Sequence, residues 1–208
     1  MIKIKIEKEK WDFAQSGELE FHKNNEWRKN DELFTKSNYS LFKGKFGFNE
    51  DDYIGKNVLD LGCGSKLRAK FFKDSNIYAL EPLAEKFMGE IEWCDLKDAH
   101  KVYSYPAEML IEELVDEMDL VFSINVIDHC YDFEKIVTNL YKYTKKGGTC
   151  LLSFDLHDKI DPMHPIILTD KFSVNVFEKI GFKVTKKMRS ESYHKGISDF
   201  AMTYYLNK

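Results

Sequence analysis

Residues 57–65 read Asn-Val-Leu-Asp-Leu-Gly-Cys-Gly-Ser, and this stretch narrows the possible folds more than any other. Val58, Leu59 and Leu61 make a short apolar run of the kind that forms a buried strand. The run stops at Gly62-x-Gly64, where a chain can turn tightly and lay bare backbone against a ligand. About 20 residues on, Ile77-Tyr78-Ala79-Leu80 reads as a second buried strand and ends on Glu81, a carboxylate placed to accept hydrogen bonds from a ribose diol. A helix is predicted between them over Leu67–Lys73. Strand, glycine turn, helix, strand and acid then form one βαβ unit, and the unit points to a nucleoside cofactor.

The residues after the turn narrow the choice. A dinucleotide fingerprint has a third glycine where the helix start approaches a pyrophosphate, whereas here Gly64 is followed by Ser65, Lys66 and Leu67, which disfavours NAD. No Gly-Lys-Ser/Thr run follows a glycine-rich loop, so the P-loop cradle is missing too. Further along, Asp119-Leu120-Val121-Phe122-Ser123-Ile124-Asn125 reads as another core strand, and Lys146-Gly147-Gly148 turns into Leu151-Leu152-Ser153-Phe154. Together with Val58–Gly64 and Glu81, these four ordered motifs resemble the class I S-adenosylmethionine-dependent methyltransferases over roughly residues 55–208. The resemblance implies S-adenosylmethionine as cofactor. It also implies a doubly wound, mostly parallel α/β fold with a seven-stranded Rossmann-like sheet. Cofactor contacts are then expected from Asp60, Gly62, Cys63, Gly64, Glu81, Pro82, Ala107, Glu108 and Asn125. Glu108 has a second reading, as the acid of a helix's first turn.

Composition restricts the partners. The 208 residues suffice for one domain with a good core. Lys plus Arg number 31 against 35 Asp plus Glu, a net charge of −4 with neither sign massed in a block, so a nucleic-acid substrate is not suggested. The four cysteines, Cys63, Cys94, Cys130 and Cys150, lack Cys-x-x-Cys spacing and read as reduced, buried thiols. With no apolar run approaching a membrane span and no signal-peptide core, a cytoplasmic location without membrane partners is expected.

In chain order, Ile and Lys alternate over residues 2–6, which suits a short strand or an extended arm. Trp11, Gln15, Glu18 and His22 fall on one side of a helix, as a solvated face or as part of a site for a polar ligand. The resemblance implies helices before the first motif that lid the site. Residues 1–55 are therefore expected to form a helical cap and 56–208 the cofactor domain, with a second cap helix over 31–43 and a connection over Gly44–Asp52. Strands are predicted at Val102–Tyr105, Leu120–Ser123, Thr149–Phe154, Phe182–Val184 and Phe200–Leu206, the last antiparallel by the resemblance. A helical turn through Val126–Asp128 would stack Asn125 and His129. An amphipathic helix runs from about Tyr131 to Tyr143 and ends at Lys145-Lys146-Gly147-Gly148. Thr169 or Asp170 caps another that reaches Lys179.

Three of the six histidines, His129, His157 and His164, come just after core strands or lie in the next loop. A neutral imidazole suits removal of a hydroxyl proton, so these are the catalytic candidates, His129 first. Trp11, Gln15, Glu18, His22 and Asp155 are the candidates for binding the acceptor. Glu18, His22, Asp155, His157 and His164 could also gather around a divalent metal. No pair of them has a spacing such as His-x-x-x-His, and no metal is assigned. The expected function is methyl transfer to a small polar acceptor, O-methylation of a sugar, sugar phosphate or related metabolite in preference to a flat lipophile such as a quinone. N- or carboxyl-methylation and metal-assisted O-methylation are the enzymatic alternatives, and a non-catalytic cofactor-binding subunit is the other.

Overall fold

The computed structural model describes residues 8–157, 159, 164, 166–193, 198 and 200–208, leaving out the side chains of residues 8–11. Its centre is one seven-stranded sheet with β1 (Asn57–Leu61), β2 (Asn76–Leu80), β3 (Lys101–Tyr103), β4 (Met118–Ile124), β5 (Thr144–Asp155), β6 (Lys183–Glu191) and β7 (Phe200–Asn207). The order is β3-β2-β1-β4-β5-β7-β6. β1 to β5 pair in parallel, while β7 runs antiparallel to both β5 and β6. The sheet is thus mixed by one inserted strand, as the resemblance implied.

The apolar runs are continuous because both faces of the sheet are covered. β4 sends Val121 into a core formed with α5 (Phe133–Tyr143) and α6 (Asp170–Ile180), and sends Leu120, Phe122 and Ile124 into a second core on the opposite face. That second core is aromatic. Phe42 is wholly buried there, stacked on Phe71 at 5.0 Å and edge-on to Phe122 at 5.1 Å. Phe42 belongs to the N-terminal segment, which contains α1 (Lys8–Lys23), α2 (Glu26–Lys29) and α3 (Asp31–Tyr39) and then a π-helical turn, Ser40–Phe46. Among the described residues no helix is long and apolar enough to cross a membrane.

Several local expectations change. Residues 2–6 lie outside the described residues. The helix expected over Leu67–Lys73 is only a 3-10 turn, Arg68–Phe71. Asp95 Oδ1 takes the Leu67 N–H at 2.8 Å and Asp60 Oδ2 takes the Ala69 N–H at 2.9 Å, and side-chain acceptors of this kind compete with helical bonding. The second cap helix runs on to Phe46, into the stretch read as a connection, and ends at Gly47 with φ +80. Helix α5 stops at Tyr143, and Lys145-Lys146-Gly147-Gly148 lies inside β5, where the register shifts and Gly147 has φ +81. The helix next to Pro82 is α4, Ala84–Glu90.

Candidate active site

The site is assembled at the carboxyl ends of β1, β2, β4 and β5. After β1 the chain turns through Gly62 (φ +69) and Gly64 (φ +65), conformations that glycine adopts more readily than any other residue. The space beside both glycines is already committed. A Cβ on Gly62 would stand 2.2 Å from Val126 Cγ1, and one on Gly64 would stand 2.2 Å from His22 Cε1. Gly62 N–H donates to Leu80 O at 2.8 Å, and Gly64 N–H donates to Glu81 Oε2 at 3.0 Å. The other Glu81 oxygen accepts the Leu83 N–H at 3.0 Å. Burial pushes the Glu81 carboxyl up to about 7 in spite of these two amides, and burial likewise pushes Asp60 up to about 7.

These residues fit a nucleoside cofactor. The turn offers backbone, Glu81 lies against it with lone pairs beyond its two amide bonds, and Asn125 adds an acceptor. Asn125 sits just past β4 at φ +56, and its Oδ1 is buried and accepts no hydrogen bond among the described residues. This backbone breaks the expected helical turn. The chain enters a 3-10 turn instead, Ile127–His129, so Asn125 and His129 do not stack as helical neighbours.

The N-terminal helices cover the glycine turn. His22 Nδ1 accepts from Ser65 N–H at 3.2 Å and lies 2.7 Å from Ser65 Oγ, while its ring packs on Phe87 with centroids 4.6 Å apart. Burial, aided by the charges of Arg28 and Arg68, lowers the His22 pKa to about 3. The ring is therefore neutral, with Nδ1 the acceptor. Glu18 lies 3.9 Å from its Nε2, and Arg28 Nη1 donates to Cys63 O at 3.4 Å. Gln15 shares α1, with its Oε1 buried, and Trp11 is on the same helix with its side chain outside the described atoms.

A second polar cluster lies just past Val126. Asp128 is completely buried, and its Oδ2 is 3.4 Å from His157 Nε2 and 3.9 Å from His164 Nε2. The imidazoles crowd together, His129 to His164 at 4.5 Å between centroids and His157 to His164 at 4.2 Å. Burial alone would raise the Asp128 carboxyl, but His129, the His157 contact and His164 together hold it below its ordinary value. His157 is pinned by paired backbone bonds to Leu168 at 3.0 and 3.1 Å. His129 is half-buried and the other two are buried.

The three catalytic candidates thus converge, around a carboxylate that sequence reasoning missed. Asp128 sits in what reads as a plain helical turn, and its adjacency to His129 was the available signal. Glu18 and His22 lie over the glycine turn and not with His157 and His164, so the five residues considered for a metal do not gather. Asp155 ends β5, where its oxygens accept from Ser192 Oγ at 2.7 Å and Tyr193 N–H at 2.9 Å. Glu108 starts no helix. Its Oε1 accepts the Tyr131 N–H at 3.1 Å on the approach to α5, and burial raises its pKa. Ala107 O takes a bond from Asn139 Nδ2 at 2.9 Å, and Pro82 O takes one from Ser104 Oγ at 3.2 Å. The buried Cys63 thiol is pushed well up. Arg28 and Ser65 carried no sequence signal, because only the fold sets α1 and α2 against the turn.

Strand order, the antiparallel β7 and the glycine turn define the Rossmann-like fold of the class I methyltransferases. Residues 28–187 match the family profile described as a methyltransferase domain, and the chain belongs to that family. Two solved structures are similar in fold. One is 1,6-didemethyltoxoflavin-N1-methyltransferase from Burkholderia thailandensis with bound 1,6-didemethyltoxoflavin and S-adenosylhomocysteine, at 13% identity and TM-score 0.67, covering 98% of this chain and 92% of that one. The other is the N-methyltransferase NodS from Bradyrhizobium japonicum in complex with S-adenosylhomocysteine, at 13% identity and TM-score 0.64, covering 93% and 96%. A curated relative, ubiquinone biosynthesis O-methyltransferase from Pseudomonas aeruginosa, is 26% identical over 105 residues, 48% of this chain and 44% of the relative. The chain spans about half the length of the curated relatives it matches.

Proposed function

We propose that the protein is an S-adenosylmethionine-dependent methyltransferase that O-methylates a small polar acceptor. The observation that carries this reading is the bond from Gly64 N–H to Glu81, which joins glycine turn and acid at one edge of the sheet in a chain of the methyltransferase-domain family. The backbone of Gly62, Cys63 and Gly64 would line the cofactor, Glu81 would accept from its ribose, and Asn125 Oδ1 would accept from a donor on it. Asp60 holds the turn's exit through Ala69, and Pro82, Ala107 and Glu108 border the same edge. When bound, the cofactor supplies a methyl group on a sulfonium, whose carbon–sulfur electron pair stays with sulfur.

The chain's own tasks are orientation and removal of the acceptor's proton. The proton leaves at the Asp128–His129–His157–His164 cluster, and half-buried His129 is the member through which an acceptor engages it. Residues 1–55 act as a cap, with Gln15, Glu18 and His22 on the helix that roofs the cofactor turn. A sugar or sugar-phosphate hydroxyl suits a polar site of this kind. A phenolic hydroxyl is the second reading, favoured by the ubiquinone biosynthesis O-methyltransferases among the relatives.

Calorimetry with S-adenosylmethionine, S-adenosylhomocysteine and NAD tests the cofactor, with one site for each of the first two and none for NAD expected. Tight NAD binding without response to the sulfonium would overturn the reading. A methyl-transfer screen over sugars, sugar phosphates, phenols, amines and carboxylates then selects the acceptor. Cofactor binding with no transfer to any class would favour a non-catalytic subunit.

A further inference from the structure

We infer that Asp128, His129 and His164 form a binding site for a divalent transition-metal cation of the zinc type, with His157 holding Asp128 in place. One coordinating atom from each of the three lies within 4.8 Å of the others, the one such convergence of His, Cys, Asp and Glu among the described residues. Ligands bound at about 2.1 Å stand roughly 3–3.5 Å from one another, so the three groups would have to draw closer, by ring and carboxylate rotation, to hold one ion.

The surroundings favour a cation over a structural knot. Asp128 is wholly buried, and although its Oδ2 faces imidazoles, its Oδ1 has no hydrogen-bond partner among the described residues, a buried acceptor that is costly to leave unsatisfied and that a cation would engage. Its Oδ2 already faces His157 Nε2 at 3.4 Å, the arrangement by which an outer group fixes a metal-binding carboxylate. Two imidazoles and one carboxylate make the donor set of sites that keep an open coordination position. Half-buried His129 marks the open side.

The cluster is adjacent to the cofactor turn through Val126, which packs on Gly62. The role of the cation, though not its binding, rests on the methyltransferase reading. An acceptor hydroxyl in the open position would be acidified by the cation and lose its proton to solvent. An oxygen lone pair would then form the bond to the methyl carbon as the carbon–sulfur bond breaks and leaves its electron pair on sulfur. With the cation in place His129 is a ligand and no longer the base.

The test uses the full chain stripped with a chelator and titrated with Zn²⁺ by calorimetry and with Co²⁺ by visible absorption. One cation per chain is expected, with weakening of about tenfold or more in Asp128→Asn, His164→Ala and the half-buried His129→Gln. His100→Ala, outside the cluster, should bind like the parent. Failure of both cations to bind, or binding unchanged in every cluster variant that retains the parent's circular dichroism, overturns the inference. S-adenosylhomocysteine binding is measured on the same samples. Cation uptake without cofactor binding would leave this site standing and sink the methyltransferase reading, whereas methyl transfer by chelated protein that takes up no cation would do the reverse.

Discussion

Glu81 carries an amide on each oxygen and a carboxyl pushed up to about 7 by burial. Ribose hydroxyl donors favour the anion, so cofactor affinity should rise as pH goes from about 6 to 8 and fall as the carboxyl protonates. Glu81→Gln should flatten that profile and weaken binding by roughly tenfold or more above pH 7, since bonds to a charged group are worth about 1.5–3 kcal/mol. Titrations of S-adenosylhomocysteine at several pH values decide it, and a flat parental profile would remove Glu81 from the ribose. For stability the sign reverses. Between about 4.5 and 7 the native state keeps a proton that the unfolded chain has released, so this group's contribution falls as pH rises. His129→Gln should leave cofactor affinity intact and slow transfer by about a hundredfold or more, and an unchanged single-turnover rate would take the acceptor away from the cluster. The glycine turn and Glu81 were legible because their spacing is local to one βαβ unit. The Asp128 cluster was legible only in its histidines, since loops bring together residues up to 36 positions apart, from Asp128 to His164.

The strands of the buried sheet announce themselves through unbroken apolar runs, and β1, β2 and β4 fall where those runs do. β6 extends to Glu191 through its pairing with β7, and because it is an edge strand with mostly exposed side chains, nothing apolar marks its length in the sequence. The length of β5 was hidden by Lys145-Lys146-Gly147-Gly148, which has the composition of a helix end and serves as an irregular strand entry. Helix α1 was legible as a helix, but not the place where it docks. His22 is that place, and its pKa of about 3 against an ordinary 6.5 makes the docking acid-sensitive. Docking strength is undiminished above about 6.5 and is eroded as pH falls toward 3, because the undocked ring takes a proton that the docked ring refuses. Hydrogen exchange of residues 12–30, corrected for intrinsic rates, should therefore speed up between about pH 7 and 5 in the parent. In His22→Gln it should be fast and nearly independent of pH over that interval. Equal protection at both pH values in the parent would mean that the helix is held elsewhere.

At the scale of the whole molecule, the segment ahead of β1 makes two kinds of contact with the rest of the fold. His22 of α1 packs on the glycine turn and on Phe87 of α4, whereas the turn Ser40–Phe46 belongs to the aromatic core on one face of the sheet. Phe42 contacts Phe46, Phe71, Phe72 and Phe122, and Phe46 O accepts from Tyr205 Oη at 2.7 Å. Removing a wholly buried ring of this kind costs about 3–5 kcal/mol, a large share of the roughly 5–15 kcal/mol that holds a domain folded. Two truncations separate the roles. A chain starting at residue 31 keeps Phe34, Phe42 and Phe46 and should melt cooperatively, with cofactor affinity altered because His22 and Arg28 no longer cover the turn. A chain starting at residue 56 bares Phe71, Phe72 and Phe122 together and should lose its cooperative melting transition or aggregate. Phe42→Ala in the full chain should lower stability without changing the cofactor contacts, read as a drop in denaturation midpoint at unchanged affinity for the ligand-bound fraction. If the chain from residue 56 melts as cooperatively as the parent, the segment up to residue 46 is a lid after all, and the aromatic face of the sheet is stable without it.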